Sequence, residues 1–268
     1  MIPKIIHFCW MSGDPYPPKI KQCIDSWKRV LPDYEIWLWD AKRFDIDSSV
    51  WVLEAFEHKK YAFCADYIRL YALYNYGGIY LDSDVEVLKS FNDLLSLPYF
   101  WGYESKGIIE AATIGSEKGN PIIGRLLDHY KGRHFIKSDG EPDIVIMPEI
   151  IMSEIKAHYS IHNINTPSQF DYSQGVVNVF PYDRFSPIDT TGRRYVLRTT
   201  NNTYSIHHFV SAWVDPRVMF LVKIFGYNSK VRFAIQRIAK FIRDKMFKPL
   251  KKTIEKIEDG STMQIMLL

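Results

Sequence analysis

The sequence predicts a mixed α/β fold with a mainly parallel central sheet, and three observations carry this prediction. Short apolar segments alternate with longer segments of helical periodicity through the first third of the chain. With 47% hydrophobic and 24% charged residues, the 268-residue chain can bury a sizeable core, which excludes an intrinsically disordered protein. No run reaches 18 apolar residues, so we expect no membrane-spanning helix.

The N-terminal elements are predicted in the order β–α–β–α–β, which favours parallel strands covered by helices. Strands are expected at residues 2–9, 35–39 and 79–81, and helices at residues 19–30 and 61–76. The second helix is followed by two glycines, which accept the positive φ that a helix end often requires. A buried strand then runs directly into a pair of aspartates.

The later part of the chain is less regular. Further strands are expected near residues 98–103, 110–115 and 203–209, and residues 116–200 are expected to mix helices with loops.

We predict two regions, a domain over residues 1–215 and a basic amphipathic helical tail over residues 216–268. Residues 217–252 hold 11 Lys and Arg side chains against one acid, whereas the rest of the chain has 23 basic and 30 acidic side chains. This asymmetry argues against a nucleic acid-binding face. It fits a tail that leans on an anionic membrane surface, or a helix that packs on the domain or on a dimer partner.

The compartment is predicted from the cysteines and the tail. The three cysteines are odd in number and lack metal-type spacing, which indicates a reduced, cytoplasmic location. The basic tail adds the expectation of a peripheral position on the inner face of the plasma membrane.

The chemistry is predicted to centre on Asp82 and Asp84, which flank Ser83 directly after the third strand. Ligands of open α/β sheets bind at the carboxyl ends of strands. Two carboxylates this close repel each other unless a cation or a proton lies between them. Because Mg²⁺ and Mn²⁺ take oxygen ligands and share them with phosphates, the pattern predicts a metal–diphosphate site. An ordinary acidic turn would carry the same three residues.

Asp66 and Arg69 form a second candidate pair. They are three residues apart in a predicted helix and therefore share a face. Asp66 could accept hydrogen bonds from sugar hydroxyls while the fork of Arg69 donates them. The alternative is a local salt bridge.

Several blocks of the sequence, in a fixed order, carry a more specific signal. They are IPKIIHFCW at residues 2–10, the stretch from ADYIRLYAL to YGGIYLDSD at residues 65–84, FPYD at residues 180–183 and IHHFVSAW at residues 206–213. Together they resemble glycosyltransferase family 32, the DXD-containing sugar transferases of capsule and O-antigen synthesis. That family is similar to yeast mannosyltransferases and to the glucosylating domains of large clostridial toxins. The resemblance covers residues 1–215.

The resemblance implies a nucleotide-binding fold of the GT-A type and a role for each matching residue. Trp10 would stack on the nucleotide base, which is uracil for a UDP-linked donor. Asp66 and Arg69 would hold the donor sugar. Asp82 would contact the ribose or the sugar and assist at the metal, and Asp84 would bind the metal ion.

The remaining roles fall on Tyr80 and on the closing block. Tyr80 would approach the phosphates. By their spacing within the family motif, His208 would be a metal ligand, Ser211 would support it, and Trp213 would donate its indole N–H to a phosphate. Independently, His207 and His208 are expected to point to opposite sides of an extended strand, so at most one of them faces the site.

The sequence therefore predicts a retaining, metal-dependent hexosyltransferase that uses Mn²⁺ or Mg²⁺. The donor would be a nucleotide sugar, UDP-linked by resemblance, and the acceptor a saccharide or a lipid-linked oligosaccharide. Two alternatives stay open. The run Ile79–Val85 also resembles the motif of haloacid-dehalogenase-like phosphatases, with Asp82 as nucleophile. A non-catalytic carbohydrate-binding protein would use the abundant aromatic residues alone.

Overall fold

The computed structural model describes residues 1–105, 107–189 and 196–210. The described residues fall within one unit of the chain. Ser211, Trp213 and the tail at residues 216–268 lie outside the described residues. The predicted domain boundary at residue 215 therefore stays a prediction.

Eleven strands and five α-helices make up the regular structure of the described residues, together with three short 3₁₀ turns. The strands are β1 (Ile5–Cys9), β2 (Glu35–Trp39), β3 (Gly78–Leu81), β4 (Val85–Val87), β5 (Tyr99–Phe100), β6 (Thr113–Ser116), β7 (Ser160–Asn163), β8 (Val176–Val179), β9 (Ile188–Asp189), β10 (Val196–Leu197) and β11 (Ser205–His207). The helices are α1 (Pro18–Val30), α2 (Val50–Glu57), α3 (Tyr61–Tyr76), α4 (Pro121–Asp128) and α5 (Met147–His158), and the 3₁₀ turns are Ile46–Ser48, Asn92–Leu94 and Pro167–Gln169.

The central sheet has five strands in the order β2-β1-β3-β6-β5. Strands β2, β1 and β3 are parallel, β6 is antiparallel to β3, and β5 is antiparallel to β6. Four of the five strands therefore point the same way, which confirms a mixed α/β fold with a mainly parallel sheet. The reversal at β6 follows from its connection to β5, which holds no helix: antiparallel neighbours need no crossover helix between them.

Three smaller strand pairs lie outside the central sheet. Strands β4 and β11 are antiparallel, β7 and β8 are parallel, and β9 and β10 are antiparallel. The first of these pairs joins two segments more than 100 residues apart in the chain, and it brings the predicted closing block to the aspartate pair.

Most predicted elements are present, with shifted ends. The first strand begins at Ile5, later than expected, and the strand predicted at residues 110–115 begins at Thr113. Helix α2 was not predicted. Its first four residues, VWVL, are all apolar and show no amphipathic stripe, while the Ser49 hydroxyl caps the helix by accepting from the backbone N–H of Val52.

Helix α3 packs against the central sheet and carries the candidate sugar-binding pair. Its residues Phe63 and Leu70 are buried, whereas Tyr74, near the end of the helix, is exposed. Asp66 and Arg69 are buried instead, so the helix turns a partly polar face into the protein. Among the described residues, no helix is long and apolar enough to cross a membrane.

The two glycines after α3 are required by close packing as well as by backbone conformation. Gly77 has φ +68° and donates its N–H to the carbonyl of Leu73, which ends the helix. A Cβ on Gly78, at φ +113°, would lie 2.7 Å from the carbonyl oxygen of Ile5. The chain can therefore enter β3 beside β1 only with glycine at this position.

Candidate active site

The aspartate pair lies in a tight turn at the carboxyl end of β3. The backbone N–H of Asp82 donates to the carbonyl of Ala112, the residue before β6, and the N–H of Val85 donates to the carbonyl of Asp82. All four residues of β3 are buried, so the turn is anchored on the core and opens at the edge of the sheet. The aspartate pair therefore lies at the end of a buried strand, where the sequence predicts it.

Asp84 is held by the segment that follows β11. One carboxylate oxygen accepts the backbone N–H of Val210 at 2.8 Å, and the backbone carbonyl of Asp84 accepts the N–H of His208 at 3.2 Å. The register of β11 places His207 opposite Val85, the residue after Asp84. Long-range strand pairing therefore brings the histidines to the aspartates.

The two histidines face different carboxylates. His207 Nε2 lies 3.5 Å from Asp84 Oδ1, whereas His208 Nε2 lies 2.8 Å from Glu86 Oε2. The structure thus brings His207 to the aspartate pair, while His208, the ligand that the family spacing implied, pairs with Glu86. Adjacent residues on an extended strand point to opposite sides, which accounts for the difference.

His208 belongs to a small charged network beside the site. Lys19 Nζ lies 3.5 Å from the same Glu86 carboxylate oxygen. Burial would raise the pKa of Glu86, but the hydrogen bond from His208 and the charge of Lys19 hold it below its ordinary value. Burial lowers the pKa of His208, although the hydrogen bond to Glu86 acts in the opposite direction.

Asp82, Asp84 and His207 could hold a divalent cation together. Each offers one ligand atom, and the three atoms lie within 4.8 Å of one another. The Nε2 atom of His207 is turned toward Asp84, and its Nδ1 atom is buried without a hydrogen-bond partner. Two carboxylates with one imidazole suit Mn²⁺ and accommodate Mg²⁺ less well, because imidazole prefers softer ions.

Arg69 is the hub that joins the two candidate pairs. Its Nη2 lies 2.9 Å from Asp66 Oδ1 and 3.3 Å from Asp82 Oδ1, and its Nη1 donates to the carbonyl of Ala111 at 2.5 Å. The guanidinium also lies over the ring of Tyr80, 4.6 Å from its centroid. The local salt bridge expected as the alternative is present, and it extends to Asp82.

Burial dominates the electrostatics of this hub. It raises the pKa of Asp66 to about 6, against the opposing effect of Arg69 and with a further increase from Asp82. Burial would lower the pKa of Arg69, but the neighbouring Asp82, Tyr80 and Asp66 raise it above its ordinary value. Arg69 therefore stays charged, while Asp66 is close to changing its protonation state near neutral pH.

Tyr80 and Trp10 lie at the same edge of the sheet. The Tyr80 hydroxyl donates to Asp82 Oδ1 at 3.1 Å, which places it beside the aspartate pair. Trp10 directly follows β1, the neighbour of β3, and is half-buried. Its indole N–H donates to the carbonyl of Asp14 at 2.7 Å, and its ring packs edge-on against Tyr16. Stacking of Trp10 on a base stays a prediction.

Two buried polar residues near the hub were missed by sequence reasoning. Glu110 is fully buried, both of its carboxylate oxygens lack a hydrogen-bond partner, and burial raises its pKa well above the ordinary value. The Tyr130 hydroxyl is also buried without a partner, and the charges of Asp66 and Arg69 act on it. No pattern in the sequence signals either residue, because their proximity to α3 is created by the tertiary fold.

A comparison with protein families agrees with the geometry of this segment. Residues 17–101 match the family described as "Glycosyltransferase sugar-binding region containing DXD motif". The match runs from the start of α1 to the end of β5, and it includes Asp66, Arg69, Asp82 and Asp84. It supports the resemblance to DXD-containing glycosyltransferases over this part of the chain.

Two curated fungal proteins are similar to the chain. Inositol phosphoceramide mannosyltransferase 3 of Schizosaccharomyces pombe is 35% identical over 130 residues, which are 46% of this chain and 35% of that protein. Mannosyl phosphorylinositol ceramide synthase of Saccharomyces cerevisiae is 32% identical over 151 residues, 55% of this chain and 39% of that protein. The chain thus spans about two fifths of the length of these relatives or less.

A solved structure titled "PaToxG Glycosyltransferase" covers 58% of this chain and 68% of its own, with a TM-score of 0.45 and 22% identity. This likeness is too distant to carry an argument about the site.

Proposed function

We propose that the chain is a metal-dependent glycosyltransferase that moves a hexose from a nucleotide sugar to a hydroxyl of a saccharide or glycolipid acceptor. One observation carries the proposal: Asp82, Asp84 and His207 converge at the carboxyl end of β3, with Arg69 bound to Asp82. A diphosphate group is bound by positive charge. Here the carboxylates can hold a divalent cation, and Arg69 supplies a second, fixed positive charge beside it.

Each matching residue receives a role in this proposal. A bound Mn²⁺ would offset the negative charge of the diphosphate. Arg69 donates to the departing diphosphate and Asp66 accepts from hydroxyls of the donor sugar, as their burial and fixed geometry favour. Trp10 stacks on the base and Tyr80 contacts the phosphates. From the family resemblance alone, Ser211 is proposed to support the metal ligand and Trp213 to donate its indole N–H to a phosphate; both lie outside the described residues.

The metal ligands are proposed to be Asp82, Asp84 and His207. His207 replaces His208 in this role because its Nε2 faces Asp84, while His208 is engaged by Glu86. This assignment keeps one histidine of the closing block at the metal, as the family resemblance implied, and shifts it by one position.

The proposed reaction retains the configuration of the sugar. The bond from the anomeric carbon to the diphosphate oxygen breaks, and the bond to the acceptor oxygen forms on the same face. The proton of the acceptor hydroxyl passes to the departing diphosphate oxygen. Arg69 stabilises the negative charge that grows on that oxygen, so no nucleophile from the protein is required.

The donor and the acceptor are narrower proposals. UDP is proposed as the nucleotide from the resemblance of Trp10 and the aspartate block to the toxin domains. The names of the fungal relatives point to mannose and to a glycolipid acceptor, whereas the resemblance to capsule and O-antigen enzymes points to a polysaccharide or a lipid-linked oligosaccharide. A cytoplasmic location, peripheral at the inner membrane face through residues 216–268, is proposed on the charge pattern of the tail.

The experiment that tests the proposal is titration of Mn²⁺ and UDP into the protein by calorimetry. UDP is expected to bind in the presence of Mn²⁺, and Asp84→Asn is expected to abolish the metal-dependent part of the binding. Asp25→Asn, at an exposed position on α1, is the matched control. Metal-dependent UDP binding that Asp84→Asn leaves intact would refute the proposed site.

A donor panel then identifies the activity. Release of nucleotide from UDP-linked and GDP-linked hexoses, with and without Mn²⁺, is expected to show one preferred donor. Hydrolysis of a phosphate monoester with no sugar-nucleotide turnover would instead support the phosphatase alternative, in which Asp82 acts as nucleophile. Saccharide binding unaffected by Asp84→Asn, without any turnover, would support the non-catalytic alternative.

A further inference from the structure

A second concave feature lies beside the aspartate site, on the side of α3 that faces β2. It is a cavity of about 470 Å³, a volume within the range of small-molecule sites. Six of its nine lining residues are aromatic, and the others are an arginine, an aspartate and a serine. The lining residues are Trp37, Trp39, Arg43, Phe44, Asp45, Ser48, Tyr67, Tyr71 and Tyr76.

The lining is not an ordinary piece of core, because much of it is open to solvent. Trp37, Tyr67 and Tyr71 are half-buried, and Tyr76 is 40% exposed. The Arg43 guanidinium lies 4.5 Å from the centroid of the Trp37 ring and is itself exposed. An arginine placed over a half-buried indole covers part of the aromatic surface from water and offers hydrogen-bond donors to the cavity.

The charges around the cavity select the kind of ligand. Arg43 and Asp45 both line it, so the cavity contributes one positive and one negative charge. An anionic group would be attracted by the first and repelled by the second. A neutral ligand rich in hydroxyls can donate to Asp45 and accept from Arg43, and it also meets the hydroxyls of Tyr67 and Tyr71.

The aromatic side chains indicate the shape of the ligand, as the charges indicate its polarity. The rings of Tyr67 and Tyr71 are parallel, with an angle of 20° between their planes, while Trp37 and Tyr76 meet edge-on. Flat apolar rings bordered by hydrogen-bonding groups match a pyranose ring, which has apolar C–H groups on its faces and hydroxyls at its rim.

The cavity is close to the proposed site of chemistry. Trp39 pairs with Cys9 at the carboxyl end of β1, and β1 separates β2 from β3 in the sheet. Two strand spacings place β2 about 10 Å from β3, roughly the length of a disaccharide. Tyr67 also directly follows Asp66 on α3. A sugar in the cavity can therefore belong to the same molecule as a hydroxyl that reaches the donor.

We propose that this cavity is a saccharide-binding subsite that takes a neutral pyranose ring of the acceptor, with Trp37 and Arg43 as its main contacts. The acceptor role rests on the proposed function, whereas the binding of a neutral sugar does not. The subsite has no need of metal or nucleotide, because none of its lining residues belongs to the aspartate group.

The test is saturation-transfer NMR on the full chain without metal or nucleotide. The probes are the methyl α-pyranosides of glucose, mannose, galactose and N-acetylglucosamine. Inorganic phosphate, which has no C–H protons, is the anionic probe, and its binding is followed by line broadening in phosphorus NMR. At least one glycoside is expected to bind, with the largest saturation at its ring C–H protons. Arg43→Gln and Trp37→Ala are each expected to weaken its binding about tenfold or more.

Two controls separate the subsite from the rest of the protein. Arg29→Gln removes an exposed charge on α1 and is expected to leave saccharide binding unchanged. Asp84→Asn is expected to leave it unchanged as well, because the cavity is separate from the proposed metal ligands. Arg43→Gln changes an exposed side chain, so it tests the subsite even if Trp37→Ala, on an edge strand, fails to fold.

The proposal is overturned if none of the four glycosides binds, or if binding is the same in Arg43→Gln and in the wild-type protein. Binding of phosphate that Arg43→Gln removes, with no glycoside bound, would identify an anion site and also overturn it. If the protein turns over a donor but the cavity binds no sugar, the proposed function stands and the subsite fails. If the cavity binds a sugar but the protein turns over no donor, the subsite stands and the proposed function fails.

Discussion

The indole N–H of Trp39 donates to Nδ1 of His7 at 3.1 Å, in the buried layer between β1 and β2. Nδ1 therefore accepts, and the proton of the neutral ring is on Nε2, which donates to the carbonyl of Gly77 at 2.8 Å. Both ring nitrogens are satisfied only while the imidazole is neutral. His7 of β1 thus links β2 to the turn that follows α3.

A pH dependence of stability follows from this pairing. Burial lowers the pKa of His7 from 6.5 to about 4, and the charge of Arg43 lowers it further, against the bond to Gly77. Above pH 6.5 both folded and unfolded chains are neutral at this residue. Between pH 6.5 and about 4 the unfolded chain binds a proton that the folded chain does not, so stability falls as pH falls. The loss reaches about 3 kcal/mol for a shift of this size.

Urea unfolding of wild type and His7→Asn at pH 8 and pH 4.5 measures this effect. At pH 8 the variant is expected to be less stable by about 1–3 kcal/mol, because the carbonyl of Gly77 loses its donor. Its further loss on acidification should be smaller than that of the wild type. The control is His162→Asn, at an exposed position. Equal acid losses in wild type and His7→Asn would contradict the assigned cause.

Breaking the ion pair of Asp66 and Arg69 is expected to lower the free energy of unfolding by an amount that depends on pH. Arg69→Met leaves Asp66 buried without its cation, and the loss of one partner of a buried pair costs about 3–5 kcal/mol. Because burial already raises the pKa of Asp66 to about 6, the carboxyl can escape this penalty by binding a proton. The free energy of unfolding should therefore fall more at pH 8 than at pH 5.

A double-mutant cycle with Asp66→Asn checks the coupling. Asp66→Asn combined with Arg69→Met is expected to be more stable at pH 8 than the sum of the two single losses, since no buried charge is then left unpaired. The measurement is the free energy of unfolding of the four proteins at both pH values. Additive losses would show that the two residues act independently.

The sequence was sufficient for the framework of this site and insufficient for its details. The helix that ends at Gly77, the buried strand after it and the aspartates at its end could all be predicted, because each depends on local periodicity and on glycine. Helix α2 was missed because it is short and its first four residues are all apolar, so they show no helical period. The antiparallel direction of β6 is set by its long-range partners β3 and β5.

The choice between His207 and His208 shows the same limit at the level of one residue. Alternation on a strand predicts that they face opposite sides, but which side meets the aspartates depends on the register of β11 against β4. The aromatic cavity is a further example. Trp37 and Trp39 are two residues apart on β2 and therefore share a face of the strand. Only the tertiary fold brings them to Tyr67 and Tyr71 of α3.

Separate replacement of the two histidines tests the proposed metal ligand. His207→Asn is expected to weaken Mn²⁺ binding about tenfold or more in the presence of UDP, because one of three converging ligand atoms is lost. His208→Asn should change it far less, because that ring contacts Glu86. Electron paramagnetic resonance of free Mn²⁺ measures both affinities. The reverse order of effects would assign the ligand to His208.

Helix α1 holds β4, and with it the aspartate pair, in place through two hydrogen bonds. The Ser26 hydroxyl accepts the backbone N–H of Val87 at 2.9 Å, and the indole N–H of Trp27 donates to the carbonyl of Val85 at 2.7 Å. Two consecutive residues of α1 therefore hold both ends of the strand that directly follows Asp84. The position of that carboxylate depends on these two bonds as well as on its own bond to Val210.

Ser26→Ala is accordingly expected to act on both stability and metal affinity. It leaves the buried N–H of Val87 without its acceptor, which costs about 1–3 kcal/mol in the free energy of unfolding. Because β4 is then free to shift away from α1, Mn²⁺ affinity should fall in the folded protein at temperatures well below unfolding. Ser153→Ala, at an exposed position on α5, is the control and should change neither quantity. A variant that loses stability but binds Mn²⁺ as the wild type does would show that β11 alone holds Asp84 in place.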